Sequence, residues 1–410
     1  MTGAVPVTVH RYTDPREGFS GFVAYHGSRH RLAAGGFRVQ RGLKEERIVD
    51  LAGAMELKER LLGLAVDGAK AGIDYDPAAP GKREAMRRFL RFLRPHLDGR
   101  LSLGPDLGTA WSEIETLARE EGITSVKLAV ARAQGLSEQE LVRRLAVLDR
   151  VVDGLTVGER RSGHALAHAA LAAARTTTPA PIRVAVQGFG TLGRGAVLSL
   201  ARAGASVVAV ADEHGCAVAP EGVDVDSLLG APRGVPVPTI GAGARSGPPE
   251  ALFGVPADLL VLAATEDAMD ADQASALGTR AVAVGANLGL ASPVEELLHR
   301  RGVVVVPDFV GGCGGSASMD ALFGPPRCPA PGELLERLAA RMAGLVARIL
   351  ELCDRHGCTP REAALSMRRH QLPAGSRPYG HWSPDGAGPS GWDDTTPPGL
   401  ITATRHRWVE

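Results

Sequence analysis

The sequence predicts an α/β protein with two domains, an N-terminal α/β domain and a Rossmann-type, doubly wound domain. Its 410 residues exceed what one hydrophobic core usually serves, so a cleft between domains is expected. After residue 181, apolar strand-like segments alternate with helical patterns, which indicates a parallel sheet with right-handed crossovers. Those segments read IRVAVQ, SVVAVAD, ADLLVLAA, TRAVAVGAN and GVVVVPD. We expect the first domain to span residues 1–152 and the second 153–330.

The remaining chain predicts a return from the second domain. A continuous helical pattern over 332–356 favours a long helix within residues 331–370 that packs at the domain junction. Residues 371–410 are rich in Pro, Gly and Ser, which favours an irregular tail. Residues 216–257 are rich in Gly, Pro and Val and predict an irregular excursion between two strands.

The first domain carries three helical patterns. The pattern over 51–63 is amphipathic and contains Lys58, and residues 84–97 and 136–152 have similar patterns. Between the first two, AVDGAKAGIDYDP predicts a loop, a strand and a turn. Lys70 is expected on the turn or at the strand edge.

Composition favours small-molecule chemistry in the cytoplasm. The 46 basic and 46 acidic residues leave no net charge to attract nucleic acid or an anionic membrane. No run approaches the roughly 18 to 20 apolar residues that span a bilayer, and the N-terminus does not resemble a secretory signal. The five cysteines are scattered, which suits a reducing compartment, and Cys353 and Cys358 lack the partner pair of a metal site. We therefore expect no metal.

Lysine is scarce in this chain, because only five of the 46 basic residues are lysines. Arginine stays protonated at any relevant pH, whereas a lysine in a desolvated cleft can lose its proton and act as a base. Each retained lysine is therefore a candidate for a role that arginine cannot fill, although chance retention explains any single one equally well.

The segment VAVQGFGTLGRGAVLSLARAGASVVAVAD predicts a dinucleotide site. Gly188, Gly190 and Gly193 follow a strand and open a helix, and Asp212 ends the next strand, as in a Rossmann fingerprint. Asp212 would accept hydrogen bonds from the ribose and repel a 2′-phosphate, which favours NAD over NADP. A glycine-rich turn that binds nothing is the alternative. Four further positions complete the predicted cofactor site: Thr191, Leu192, Ala263 and Ala264.

Several motifs together resemble one family. The motifs are GGFRV at 35–39, Lys58 and DGAKAG around Lys70, GPDLGT at 104–109, GFGTLG, VGAN at 284–287 and PDFVGGCGG at 307–315. Their order along the chain is the order found in Glu/Leu/Phe/Val dehydrogenases. The resemblance covers roughly residues 30 to 320. It implies an NAD-dependent amino-acid dehydrogenase that interconverts an amino acid with a 2-oxo acid and ammonia. It also implies an N-terminal substrate domain through which a homo-oligomer is built.

The resemblance also implies individual roles. Lys58 matches the residue that binds the substrate α-carboxylate, Lys70 the lysine that activates water, and Asp106 the acid that exchanges protons with the substrate nitrogen. Asn287 matches an asparagine near the substrate and the nicotinamide ribose, and Ser162 a threonine on the cofactor side of the cleft. Gly35 and Gly36 border the substrate by the same resemblance.

Physical chemistry supports the two catalytic roles. Hydrolysis of the imine that forms when Cα loses hydride needs a general base near neutrality, and a desolvated lysine beside a second ammonium is such a base. Asp106 would stabilise positive charge on the nitrogen. The alternative for Asp106 is the cap of a helix that begins at Leu107.

Four departures from the family pattern bear on the substrate. Glutamate-specific members use a lysine and a serine to bind the side-chain carboxylate, and Ala34 and Met319 stand at those positions. The chain is thus expected to be closer to the leucine, phenylalanine and valine type, with an apolar, aromatic or non-proteinogenic substrate side chain. Asp67 stands where glycine is usual, and is expected to tolerate its left-handed backbone and to add an anion to the site. Gly312-Cys313 replaces Asn-Ala. A regulatory NAD-binding homologue and another NAD-linked oxidoreductase are the alternatives.

Overall fold

The structure is a computed structural model that describes residues 5–240, 243–367, 372–373 and 375–382. The chain divides into two compact units, and the first break falls after Leu145, close to the expected boundary at residue 152. The first unit runs over Met1–Leu145 and His370–His381, the second over Ala146–Arg369 and Trp382–Glu410.

The first unit contains a mixed five-stranded sheet. Its strands are β1 (Val7–Thr13), β2 (Ser20–His26), β3 (Leu32–Gln40), β4 (Val66–Asp74) and β5 (Leu101–Pro105). They lie in the order β1-β2-β4-β3-β5, with β3 parallel to β4 and β5, and β2 antiparallel to β1 and β4. The helices are α1 (Glu45–Leu61), α2 (Lys82–Gly99), α3 (Trp111–Glu120), α4 (Leu128–Gln134) and α5 (Glu138–Leu145).

The two faces of this sheet are covered differently. Apolar residues of α2 and α3 form a large core with one face, to which Ala69 and Ala71 of β4 belong. The opposite face packs so closely on α1 that a Cβ on Gly68 would lie 2.2 Å from the carbonyl oxygen of Ala52. Side chains alternate along a strand, so Lys70, like Gly68, faces α1.

The second unit contains a seven-stranded sheet and a small hairpin. The hairpin strands are β6 (Val151–Val152) and β7 (Leu155–Thr156), and the sheet strands are β8 (Arg183–Gln187), β9 (Ser206–Asp212), β10 (Gly215–Val218), β11 (Arg245–Gly247), β12 (Leu259–Leu262), β13 (Ala281–Val284) and β14 (Val304–Val306). The order is β11-β10-β9-β8-β12-β13-β14, in which only the pairings of β10 are antiparallel. All five strands expected from the apolar segments are present. The glycine turn follows β8, which lies between β9 and β12, where α/β sheets bind ligands.

Ten α-helices are described in this unit. They are α6 (Val157–Ala174), α7 (Thr191–Arg202), α8 (Val225–Gly230), α9 (Val237–Ile240), α10 (Ala271–Ala276), α11 (Ser292–Arg300), α12 (Asp308–Gly311), α13 (Gly314–Phe323), α14 (Pro331–His356) and α15 (Pro360–Met367). Helix α6 begins with a capping box between Thr156 and Glu159, and packs against α7, α13 and α14. The long helix expected over 332–356 is α14.

Three local expectations are wrong. The pattern over 136–152 is not one helix, because α5 ends at Leu145 and a hairpin follows. The stretch 216–257 is not merely irregular, since β10 and β11 extend the sheet. Lys70 lies inside β4 rather than at a turn, since β4 is hydrogen-bonded on both sides by β2 and β3.

Part of the expected tail lies against the first unit. The backbone N–H of Tyr379 donates to Gln134 Oε1 at 3.2 Å, and the ring of Tyr379 is buried. The N–H of Ala65 donates to the carbonyl of Pro378. Residues 375–382 contain neither helix nor strand, and 383–410 lie outside the described residues.

No helix in the described ranges is long and apolar enough to cross a membrane. The cytoplasmic location stays a prediction from the sequence.

Candidate active site

Three charged side chains meet on the α1 side of the first unit's sheet. Lys70 Nζ lies 2.9 Å from Asp106 Oδ2, and Arg38 Nε lies 2.7 Å from the same oxygen. Lys70 and Arg38 are 3% and 5% exposed. Nη1 of Arg38 also donates to Gln40 Oε1. One carboxylate therefore compensates two buried cations.

Two glycines of β3 shape the surroundings of Lys70. A Cβ on Gly36 would lie 3.0 Å from Lys70 Nζ and 2.9 Å from Asp106 Cβ, so a side chain there would crowd the ion pair. A Cβ on Gly35 would overlap the carbonyl oxygen of Ala69 at 1.7 Å, so Gly35 is required by strand packing. Of the two glycines expected at the substrate, Gly36 is the one that borders the Lys70–Asp106 pair.

Lys58 acts on the same site from α1. It lies in the last turn of that helix and is buried. Burial lowers the pKa of Lys70, the Asp106 carboxylate opposes that shift, and the charges of Arg38 and Lys58 lower the pKa further. The net result is a lowered pKa for Lys70, which is the shift that a general base requires.

The carboxyl group of Asp106 stays ionised. Its burial raises its pKa, but Lys70 and Arg38 outweigh burial, and the pKa is held well below its usual range. The N–H of Asp106 donates to Thr109 Oγ1 at 3.0 Å, which in turn donates to the carbonyl of Phe37. The carboxylate is thus fixed by a turn tied to β3.

One alternative and one expectation about this site are wrong. Asp106 does not cap a helix at Leu107, because a turn follows it and α3 begins only at Trp111. Asp67 has ordinary strand backbone and does not add an anion beside Lys70, because odd-numbered positions of β4 face α2. Its carboxylate lies 2.5 Å from Arg100 Nη2 and accepts the N–H of His30.

Sequence reasoning missed Arg38. The residue stands in GGFRV, two positions after Gly36, and this period-two spacing places both on the same strand face. The spacing from Gly36 could therefore have predicted that Arg38 lies near Lys70.

The second unit's glycine turn has the shape of a phosphate cradle. Gly188 has φ +93°, and a Cβ there would lie 2.7 Å from the carbonyl carbon of Ala263 and 2.8 Å from Cα of Ala264. A Cβ on Gly193 would lie 1.8 Å from the carbonyl oxygen of Gly188, whereas one on Gly190 would meet nothing within 4 Å. The first and third glycines thus permit close packing, and the second leaves backbone open to a ligand. The residues fit a dinucleotide.

Helix α6 brings Ser162 close to this turn. A Cβ on its neighbour Gly163 would lie 2.3 Å from the carbonyl oxygen of Leu192, in the first turn of α7 that Thr191 begins. Gly314, the first residue of α13, approaches Ser162 from another side, since its Cβ would lie 3.1 Å from the Ser162 carbonyl oxygen.

Asp212 ends β9 as expected, but its carboxylate is already bound. Oδ1 accepts the N–H groups of His214 and Gly215, and Oδ2 accepts that of Val237 at 2.7 Å. The carboxylate therefore organises the chain after β9 and retains room for a further hydrogen bond on Oδ2.

Asn287 lies in the turn after β13. The following residue, Leu288, has φ +54°, and its N–H donates to Asp308 Oδ2 at 2.9 Å. Asp308 in turn pairs with Arg361, which holds this turn in place.

Two positions that depart from the family pattern are buried, Cys313 directly before α13 and Met319 within it. Met319 is 5% exposed. Next to it, Ser318 Oγ accepts a hydrogen bond from the buried Arg161 at 2.7 Å, and burial lowers the pKa of Arg161 to about 10. Cys313 Sγ lies 3.7 Å from the sulfur of Met342, so this substitution fills an apolar contact.

Comparison with known proteins identifies the family. The model for the Glu/Leu/Phe/Val dehydrogenase dimerisation domain matches residues 4–121, and that for Glutamate/Leucine/Phenylalanine/Valine dehydrogenase matches 159–372. Glutamate dehydrogenase of Thermotoga maritima is 30% identical over 316 residues, 73% of this chain and 71% of that protein. NAD-specific glutamate dehydrogenase A of Halobacterium salinarum is 27% identical, over 76% of this chain and 71% of that protein.

A solved structure agrees with these matches. The hetero-hexameric glutamate dehydrogenase of Thermus thermophilus, in a Leu-bound form, superposes with a TM-score of 0.68 at 28% identity, covering 88% of this chain and 87% of that one. These relatives are glutamate dehydrogenases, so they do not support the expected closer likeness to the leucine, phenylalanine and valine type. The chain belongs to the Glu/Leu/Phe/Val dehydrogenase family and is an NAD(P)-linked amino-acid dehydrogenase.

Proposed function

We propose that this protein catalyses the oxidative deamination of an L-amino acid other than glutamate to a 2-oxo acid and ammonia, together with the reverse reductive amination. The observation that carries the proposal is the buried contact of Lys70 Nζ with Asp106 Oδ2 at 2.9 Å, on the sheet face that α1 covers.

Lys58 binds the substrate α-carboxylate in this proposal. The substrate carboxylate would form a charge-assisted pair with the buried ammonium of Lys58. Neutralising Lys58 in this way also weakens its influence on Lys70, so substrate binding and the protonation of Lys70 are coupled.

Lys70 is the general base. NAD, when bound at the glycine turn, would supply the hydride acceptor for the substrate Cα; once the substrate ammonium has released one proton to Asp106, loss of hydride would leave an iminium. Lys70, with its pKa lowered mainly by burial, takes a proton from water as the water attacks the imine carbon. An arginine at this position would stay protonated and could not do so.

Asp106 acts on the nitrogen. Its ionised carboxylate accepts a hydrogen bond from the substrate ammonium or iminium and stabilises the positive charge there. Arg38 keeps that carboxylate ionised and fixed through the 2.7 Å contact.

Two positions support a substrate without a side-chain carboxylate. Ala34 is buried on the same face of β3 as Gly36 and offers no cation or donor, and Met319 is buried and apolar. Leaving a carboxylate desolvated and unpaired costs several kcal/mol. We therefore propose a substrate with an apolar, aromatic or non-proteinogenic side chain.

We further propose that NAD is preferred over NADP and that the protein forms a homo-oligomer. The Asp212 carboxylate at the end of β9 supports the cofactor preference, since it disfavours a 2′-phosphate. The dimerisation-domain match over residues 4–121 supports assembly through the N-terminal unit.

The test is NAD reduction, followed at 340 nm, with a panel of amino acids that includes glutamate. We expect turnover with Leu, Val, Phe or Trp to exceed that with glutamate. Lys70→Ala should lose about 10³-fold in turnover, whereas Lys82→Ala, which alters an α2 lysine paired with Glu113, should retain it. Preferred use of glutamate contradicts the substrate proposal. Dinucleotide binding without turnover indicates a regulatory homologue, and ammonia-independent reduction of the oxo acid indicates another oxidoreductase.

A further inference from the structure

An arginine from the excursion between β10 and β11 reaches the glycine turn. Arg233 Nη1 donates to Thr191 Oγ1 at 3.0 Å, and Thr191 is the first residue of α7. Its other terminal nitrogen lies 2.8 Å from Glu159 Oε1. Half of the Arg233 side chain is exposed, so its remaining N–H groups are accessible to a ligand.

The segment that carries Arg233 is tied down on both sides. Arg194 of α7 donates to the carbonyls of Leu228, Leu229 and Ala231, and its guanidinium lies over the ring of Phe189 within the glycine turn, 5.1 Å from the centroid. These contacts fix the chain immediately before Arg233 against α7.

The other side of the segment is bound to Asp212. The N–H of Val237 donates to Asp212 Oδ2 at 2.7 Å. Residues 233–237 therefore connect the glycine turn, where a dinucleotide's phosphates bind, with the acidic residue at the ribose end. The stretch lies along the expected length of the cofactor.

We propose that Arg233 binds the pyrophosphate of NAD, and that residues 233–237 form one wall of the dinucleotide site. The inference rests on the glycine turn being the cofactor site. Arg194 and Arg233 place two guanidinium groups beside the turn against the one carboxylate of Glu159, which leaves a local excess of positive charge for a diphosphate. A guanidinium also presents paired N–H groups that match phosphate oxygens.

The alternative role for Arg233 is structural, in which its pair with Glu159 merely holds the excursion on α6. The two roles respond differently when Glu159 is neutralised. If Arg233 binds phosphate, Glu159→Gln removes a competing anion and leaves affinity equal or higher. If the pair is structural, the same change weakens cofactor binding as much as loss of Arg233 does. Glutamine can maintain the capping box with Thr156.

Equilibrium binding to the full-length protein provides the test, with NADH fluorescence as the direct signal and ADP-ribose and adenosine as competitors. Arg233→Ala should weaken NADH and ADP-ribose about tenfold each, as expected for loss of a partly solvated charge-assisted hydrogen bond. Adenosine, which lacks phosphate, should bind unchanged. Arg233→Lys should recover part of the loss, and added salt should weaken the wild type more than Arg233→Ala.

Arg202→Ala is the matched control, because Arg202 ends the same helix α7 and its side chain is also 50% exposed. It should leave all three affinities unchanged. Wild-type affinity of Arg233→Ala for NADH and ADP-ribose overturns the inference and leaves the proposed function intact, as does an equal weakening by Glu159→Gln. A wild-type protein that binds neither NADH nor ADP-ribose overturns both.

Discussion

Asp106→Asn should destabilise the protein as well as inactivate it. The substitution keeps the shape of the side chain but removes the charge that compensates Lys70 at 2.9 Å and Arg38 at 2.7 Å. Breaking a buried ion pair in this way costs roughly 3–5 kcal/mol. Lys70 can limit the loss by releasing its proton, because Asp106 is the group that raises its pKa. We therefore expect a loss of about 2–3 kcal/mol in the free energy of unfolding at pH 7.

Urea denaturation of four proteins measures this coupling: wild type, Asp106→Asn, Lys70→Met and the double variant. The double variant should be more stable than the sum of the single losses predicts, by at least about 1 kcal/mol, because Lys70→Met removes one of the two stranded cations. A coupling below about 0.5 kcal/mol would mean that the two sites are independent and would refute the reasoning.

The stability lost in Asp106→Asn should depend on pH. The pKa of Lys70 is lowered in the folded state, so the cost of its burial is fully present at low pH and is relieved as pH rises from the folded pKa toward the unfolded value of about 10.4. The pKa of Asp106 is also lowered. Its contribution is present above the unfolded value of about 3.9 and is lost as pH falls through the folded pKa. The deficit of Asp106→Asn should therefore shrink on going from pH 7 to pH 10.

Three further substitutions separate catalysis, stability and cofactor choice. Asp67→Asn should lower the free energy of unfolding by about 1–2 kcal/mol, since it breaks the partly exposed pair with Arg100. It should change turnover less than twofold, because Asp67 faces away from Lys70, and a turnover loss like that of Asp106→Asn would contradict this. Arg161→Met should leave the melting temperature unchanged or raise it by a few degrees, since a buried guanidinium that, among the described residues, pairs with a hydroxyl alone is costly. A fall of about 3 kcal/mol in the free energy of unfolding would show that Arg161 has a stabilising partner. Asp212→Asn should narrow the preference for NADH over NADPH, measured as a ratio of dissociation constants, and an unchanged ratio would remove Asp212 from cofactor selection.

The dinucleotide unit was readable from sequence because its signals are local. Gly188, Gly190 and Gly193 stand at fixed spacing between a strand and a helix. Gly188 and Gly193 have a steric reason in the structure, because a Cβ on either would collide with backbone atoms. Buried parallel strands give continuous apolar runs, so the strands flanking the turn were also predicted. Strands β10 and β11 are only four and three residues long, and β11, at the edge of the sheet, is mostly exposed, which is why the stretch between 216 and 257 gave no strand pattern.

The surroundings of Lys70 required three-dimensional information. The lysine itself was singled out by the scarcity of lysine and by the family resemblance, but its neighbours come from strands that are distant in sequence. Arg38 and Asp106 are 68 residues apart, yet they share a hydrogen bond because β3 pairs with β5. Asp67 was assigned to the site because it is close in sequence, whereas strand alternation places it on the opposite face. Pairing register, which no local pattern reveals, decided the first case, and the alternation of side chains along β4 decided the second.

Lys70, whose pKa is lowered chiefly by burial, is proposed to lose its proton and act as the base. The pH profile of kcat/KM for oxidative deamination tests it most directly, with the best amino acid found in the panel and with Lys82→Ala as the control. We predict that kcat/KM rises with pH along a limb whose pKa lies well below 10.4, and that Lys82→Ala keeps this limb. Lys70→Ala should abolish the limb and lower the rate about 10³-fold. A Lys70→Ala variant that retains both the rate and the rising limb would contradict the account.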